Sequence, residues 1–192
     1  MNSFLLAGPA SEPLSLAEAK AFLRVDDDQE DAYIGSLIIA ARLHVEAMTS
    51  RALIYQSWRL VLDNWPETRL VRLPVSPVSA LIAVRTLNDA AEETELDLAD
   101  FVLRGQGETA VVDVAATVSG STAPRARAGI EIDFTAGFGP DATAVPQDLK
   151  HMILLLLGHW FEFRDSVVMP GSAGPVPAGF EALAASYRTP RI

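Results

Sequence analysis

Six apolar residues in unbroken succession, Met152 to Leu157, lie within the segment FTAGFGPDATAVPQDLKHMILLLLGHWFEFR (134–164). No other feature constrains the fold of this chain as strongly. The segment reads as a strand ending in a Gly-rich turn, a short loop, and a helix opened by Pro146, whose missing N–H costs nothing in a first helical turn. Asp148 follows in that turn, where a carboxylate complements the helix dipole. A helix lying on a protein surface shows polar residues every third or fourth position. This one continues past its apolar run into Trp160, Phe161 and Phe163, so it is apolar almost all round. It needs cover on several sides, from its own chain or from copies of it. Leu149, Ile153, Leu156, Trp160 and Phe163 are therefore candidates for a core or for a contact between subunits.

The segments before it alternate in period. Ser15 with Glu18 three residues on forms a capping box for a short helix reaching about Arg24. A longer helix is expected from Glu30 to Ser50, with Ile34, Leu37, Ile38, Ala41, Val45 and Met48 on one apolar face. Arg42 and Glu46 fall on its other face, where such a pair contributes ~0.2–0.5 kcal/mol. From Ser57 the period drops to two, and strands are expected at Trp58–Leu62, Arg69–Leu73, Val78–Leu87, Phe101–Arg104, Thr109–Val114 and Ile130–Phe134. Residues 1–13 read as an unanchored arm. Pro and Gly crowd Met169–Gly179 before a last short helix at about Phe180–Tyr187. On that helix Phe180, Leu183 and Tyr187 form a small apolar face, with Arg188 beside it. The expected class is α+β: a helical bundle from 14–56 and 144–165, a β-rich insertion at 57–143, an N-terminal arm at 1–13, and a C-terminal arm with a short helix at 166–192.

Composition removes several functions. The 192 residues include no cysteine, so disulfides and thiolate metal sites are excluded, and the net charge is −10. A protein that grips nucleic acid shows a basic face, because neutralising phosphates drives the affinity; here Arg125 and Arg127 are the nearest approach to one. The N-terminus has no basic residue and no signal-peptide pattern, and no apolar run approaches the ~20 residues that span a bilayer. The acidic run 26–31 places Asp31 where a calcium loop needs glycine and Leu37 where it needs glutamate, so it reads as helix capping. His159 and Glu162 lie three apart, but no HExxH pattern accompanies them. Gly137 and Gly139 lack the lysine of a phosphate loop, and no serine sits in a nucleophile elbow. No catalytic residue, metal or cofactor is expected.

The order of AGFG, VPQDLK, LLGHWFEFR and FEALAASYR resembles the head–tail connector, or adaptor, family of tailed phages and phage-derived particles. LSLAEAKAFLRVD (14–26), DAYIGSLIIAARLHVEAMTSRAL (31–53) and QSWRLVLDNWP (56–66) match in the same order. The resemblance implies a structural subunit forming a homo-oligomeric ring, twelvefold in this family, in the neck of a phage or gene transfer particle assembled in the bacterial cytoplasm. It implies a portal protein on one side, a tail-side connector or stopper on the other, and DNA passing through without specific binding. It also agrees with a portal-docking role for Phe180, Leu183, Tyr187 and Arg188. The competing reading is a small monomeric or dimeric regulatory or enzyme-accessory binding domain.

Overall fold

Helix α1 (Leu16–Leu23) starts at a complete capping box. Ser15 Oγ accepts from the Glu18 N–H at 3.2 Å while the Glu18 carboxylate accepts from the Ser15 N–H at 2.7 Å. It stops at Arg24, which turns left-handed at φ 58°. Helix α2 (Asp31–Thr49) buries Ile34, Leu37, Ile38, Ala41 and Val45 at the expected three- and four-residue steps. Between the two helices the acidic segment is held by Lys20, whose ammonium donates to Asp28 and to Asp31 at 2.7 Å each. Arg42 departs from the sequence reading. It is buried rather than on an outer face, and it is shared between Glu12 at 2.7 Å and Glu46 at 2.9 Å. Burial of its guanidinium is tolerable because both partners are anionic and hydrogen-bonded to it.

The structure is a computed structural model describing residues 2–105, 109–118, 124–163 and 178–187. Two units divide the α+β chain: residues 10–54 with 139–192, and residues 1–9 with 55–138. The first unit is completed by helices α3 (Gln147–Glu162) and α4 (Ala178–Ala185), with α3 packed on α2 and α4 packed on α3. Leu149, Met152, Ile153, Leu156 and Leu157 of α3 are fully buried. Leu154 and Leu155 are half-buried.

The second unit holds two antiparallel sheets. In the larger, β1 (Asn2–Ala7), β2 (Gln56–Leu62), β8 (Ile130–Ala136), β4 (Val78–Leu87) and β5 (Glu93–Leu96) lie in that order. The smaller is β3 (Leu70–Arg72), β7 (Val111–Val114) and β6 (Phe101–Arg104). One face of the large sheet is apolar: Leu60 pairs with Ile132, which pairs with Val84, and all three are fully buried. Its other face carries an ionic ladder. Arg59 donates to both Asp133 oxygens at 2.7 and 2.9 Å, Arg85 donates to Asp133 at 2.7 Å, and Arg59 also pairs with Glu131 at 2.6 Å. Strand β8 ends at Gly137, whose φ of 141° suits a residue without Cβ and whose N–H donates to the Pro77 carbonyl at 2.8 Å.

Residues 2–7, expected inside an unanchored arm, are instead the edge strand β1, paired with β2 from Asn2↔Val61 to Ala7↔Ser57. Its sequence, NSFLLA, lacks the polar–apolar alternation of a half-buried strand because both of its faces are exposed. Strand β5 is likewise absent from the sequence reading.

Candidate functional site

Helix α4 is the element on which a docking face was expected. Phe180 is fully buried, its ring 5.6 Å from the His44 ring, so it faces its own unit rather than a partner. Leu183 and Tyr187 are half-buried. The Tyr187 hydroxyl donates to the Asp148 carboxylate, and the Arg51 guanidinium lies 5.2 Å from the Tyr187 ring centre. Burial, then the bond to Asp148, pushes the Tyr187 phenol up to about 12. Gly179 adjoins Leu155 and Tyr187 adjoins Asp148, so α4 runs antiparallel to α3. An eight-residue helix is too short to hold itself together in water, so these contacts are what order it. Arg188 lies outside the described residues.

The candidate helix α3 splits by position. Leu149, Ile153 and Leu156 are core. Trp160 is half-buried, edge-on to His44 at 5.8 Å and 88°. Phe163, just past the helix, is 53% exposed. Around it lies an open groove of about 750 Å³ between the C-terminal half of α3 and α1, lined by Phe22, Leu155, Gly158, Phe161 and Phe163 among others. A Cβ on Gly158 would stand 3.1 Å from the Phe22 ring, a tight contact that glycine avoids where the two helices approach.

A second surface lies on α2. Ala32, Ser36, Ile39, Ala40, Leu43 and Ala47 are exposed along one line of the helix. No charged side chain interrupts that line. Its signal in the sequence is a set of uncharged positions out of phase with the buried set, which the apolar periodicity of α2 does not pick out.

No group of three or more His, Asp or Glu side chains fit to hold a metal occurs among the described residues. His159 packs against Phe163 with ring centres 5.1 Å apart. No described helix is long and apolar enough to cross a membrane.

Residues 13–95 match the family model of the Phage gp6-like head-tail connector protein. No curated protein matches the chain. Among solved structures, the chain is similar to one in the neck of an empty GTA particle computed with C6 symmetry. The two are 31% identical, with a TM-score of 0.82, over 100% of this chain and 97% of the other. A chain in the virion of a native gene transfer agent (GTA) particle is 30% identical, with a TM-score of 0.81 and the same coverage. A chain in the neck of a native GTA particle computed with C12 symmetry is 29% identical, with a TM-score of 0.82, again with the same coverage.

Proposed function

The chain belongs to the gp6-like head–tail connector family, whose members are structural rather than catalytic, and from that premise we propose that copies of it form a ring in the neck of a phage-like gene transfer particle. The ring lies between the capsid portal and a tail-side connector or stopper, and DNA passes through its centre. The observation that carries this reading is the full-length likeness, at 31% identity, to a chain of a GTA particle neck. The C6 and C12 symmetries of such necks support a twelvefold ring. In this reading 14–56 and 144–165 make a small helical bundle and 57–143 is a β-rich insertion. The net charge of −10 suits a channel that does not retain DNA. Absence of cysteine agrees with assembly in a reducing bacterial cytoplasm.

The C-terminal arm, 166–192, is the portal-docking element in this reading. Deleting residues 170–192 is expected to leave α1 to α3 folded by circular dichroism and to abolish co-purification with portal-bearing heads. Normal occupancy of the truncated chain refutes the docking role. Images of intact particles labelled on this protein test the wider reading, which fails if the label lies away from the neck.

A further inference from the structure

Helix α2 has a buried face centred on Ile34, Ile38, Ala41 and Val45. Roughly 180° around the helix, at about 100° per residue, lies the uncharged row from Ala32 to Ala47. Its two large members, Ile39 and Leu43, are 44% and 52% exposed. In a chain with 21% charged residues, the outward face of a helix ordinarily carries them. A charge-free apolar row spanning several turns marks a surface that is covered on assembly.

The groove beside α3 is a second surface, mainly apolar but with His159 and Glu162 on its lining, and it is a different one. Leu155, Gly158 and Glu162 lie on the side of α3 away from its buried residues, and Phe22 of α1 closes the groove at Gly158. The row and the groove thus turn to different sides of the helical unit. A symmetric pair uses the same patch on both partners, whereas two unlike patches fit a head-to-tail contact that repeats around a ring. The relatives of this chain occur in necks computed with C6 and C12 rotational symmetry.

We infer that the Ile39–Leu43 face of one copy packs into the Phe22–Leu155–Phe163 groove of the next; this rests on the ring reading given above. The small residues Ala32, Ser36 and Ala40 let the neighbouring helix approach toward the short end of the ~8–10 Å interaxial range. The competing occupant of the groove is the chain's own segment 164–177, which follows Phe163 in sequence.

Because the chain has no cysteine, the single variants Leu43→Cys and Phe163→Cys are clean reporters. Full-length protein assembled on portal-bearing heads is treated with a short bismaleimide. A mixture of the two variants is expected to cross-link to dimers, and the double variant to a ladder of multimers. In the free subunit, Phe163→Cys is expected to label rapidly with a maleimide. Leu43→Glu is expected to lower ring occupancy by about tenfold or more without changing the melt of the subunit, since a carboxylate enters an apolar contact unpaired. Cross-linking of Leu43→Cys to itself overturns the inference in favour of a symmetric pair. Protection of Phe163→Cys in the free subunit overturns it in favour of the chain's own segment. Normal rings with Leu43→Glu and no 43–163 cross-link remove this interface and leave the ring standing. Absence of rings with the parent protein removes the ring reading itself, and this interface with it.

Discussion

Truncating Phe180 to alanine tests whether α4 is a latch that the rest of the helical unit can lose. The side chain is fully buried. Removing a buried Phe typically costs ~3–5 kcal/mol, from lost transfer energy and the cavity left behind. The contacts that still hold α4 include the Tyr187 bond to Asp148, worth ~1.5–3 kcal/mol for a charged acceptor, the Arg51–Tyr187 contact, worth ~0.5–1 kcal/mol, and the small buried side chain of Ala184. The loss is comparable to these two polar contacts together. An eight-residue helix has no independent stability to draw on. Opening should be local, because α3 packs more extensively on α2 than on α4 and keeps that contact when α4 leaves. Hydrogen exchange followed by mass spectrometry is the assay. Amides in 178–187 of Phe180→Ala are expected to exchange roughly a hundred- to a thousandfold faster, with the amides of α3 little changed. Phe180→Leu, which keeps most of the apolar volume, should recover much of the protection. Parent-like protection of 178–187 in the alanine variant refutes the latch. Loss of protection throughout α2 and α3 refutes its independence.

The remaining predictions address the sheet, the half-buried tryptophan and the ring. Burial raises the Asp133 carboxyl, but hydrogen bonds from Arg59 and Arg85 outweigh it and hold the group below its ordinary value. Its contribution is then present above the unfolded value near 4 and lost as pH falls through the folded one; melting curves from pH 5 to 2 should show a steeper acid loss in the parent than in Asp133→Asn. At neutral pH that variant is expected to lose about 3 kcal/mol, the low end for breaking a buried pair because the arginines are partly exposed, and an unchanged melt refutes the ladder. Trp160→Ala should cost about 2 kcal/mol, less than a fully buried Trp, and so lower Tm by ~4–8 °C; an unchanged melt with unchanged assembly removes both the core and the interface role. Copies that each carry −10 repel over a Debye length of ~8 Å at physiological ionic strength, so ring formation on portal-bearing heads should strengthen with salt, and weakening with salt would point to an ionic contact between copies.

Local signals were legible in the sequence and distant ones were not. Ser15 and Glu18 define the start of α1 because both halves of the capping box lie within four residues. Alternation located β2, β4 and β8, but their order in the sheet depends on pairs such as Arg59 with Asp133, which are 74 residues apart. Glu131 and Asp133 marked the polar face of a strand; that arginines on two neighbouring strands bury Asp133 is a property of register. Arg42 was placed outward by helical period alone, and its second partner, Glu12, lies 30 residues away in a segment with no periodic signal. For Phe180, Leu183 and Tyr187 the spacing indicates one face of the helix. Spacing does not say whose surface that face meets, and here Phe180 is buried against His44 on α2 of its own chain.

The uncharged row on α2 and the mainly apolar groove beside α3 bear on how a strongly acidic subunit would assemble. Like charges oppose association at long range, and the acidic segment beside α1 and the Glu93 and Glu95 side chains of β5 contribute to that opposition. Apolar contact acts only at short range, in proportion to the area removed from water. If charge were spread evenly over every helix face, desolvating it between copies would add a cost at each contact. On α2 the outward row is free of charge, and on α3 the groove is mainly apolar. In the proposed interface, neighbours approaching along those surfaces would avoid most of that cost. Charge then opposes association at long range, and the apolar faces act as the adhesive. This division of labour favours subunits that remain apart in solution and join when something fixes them side by side, which a portal in the proposed neck would do.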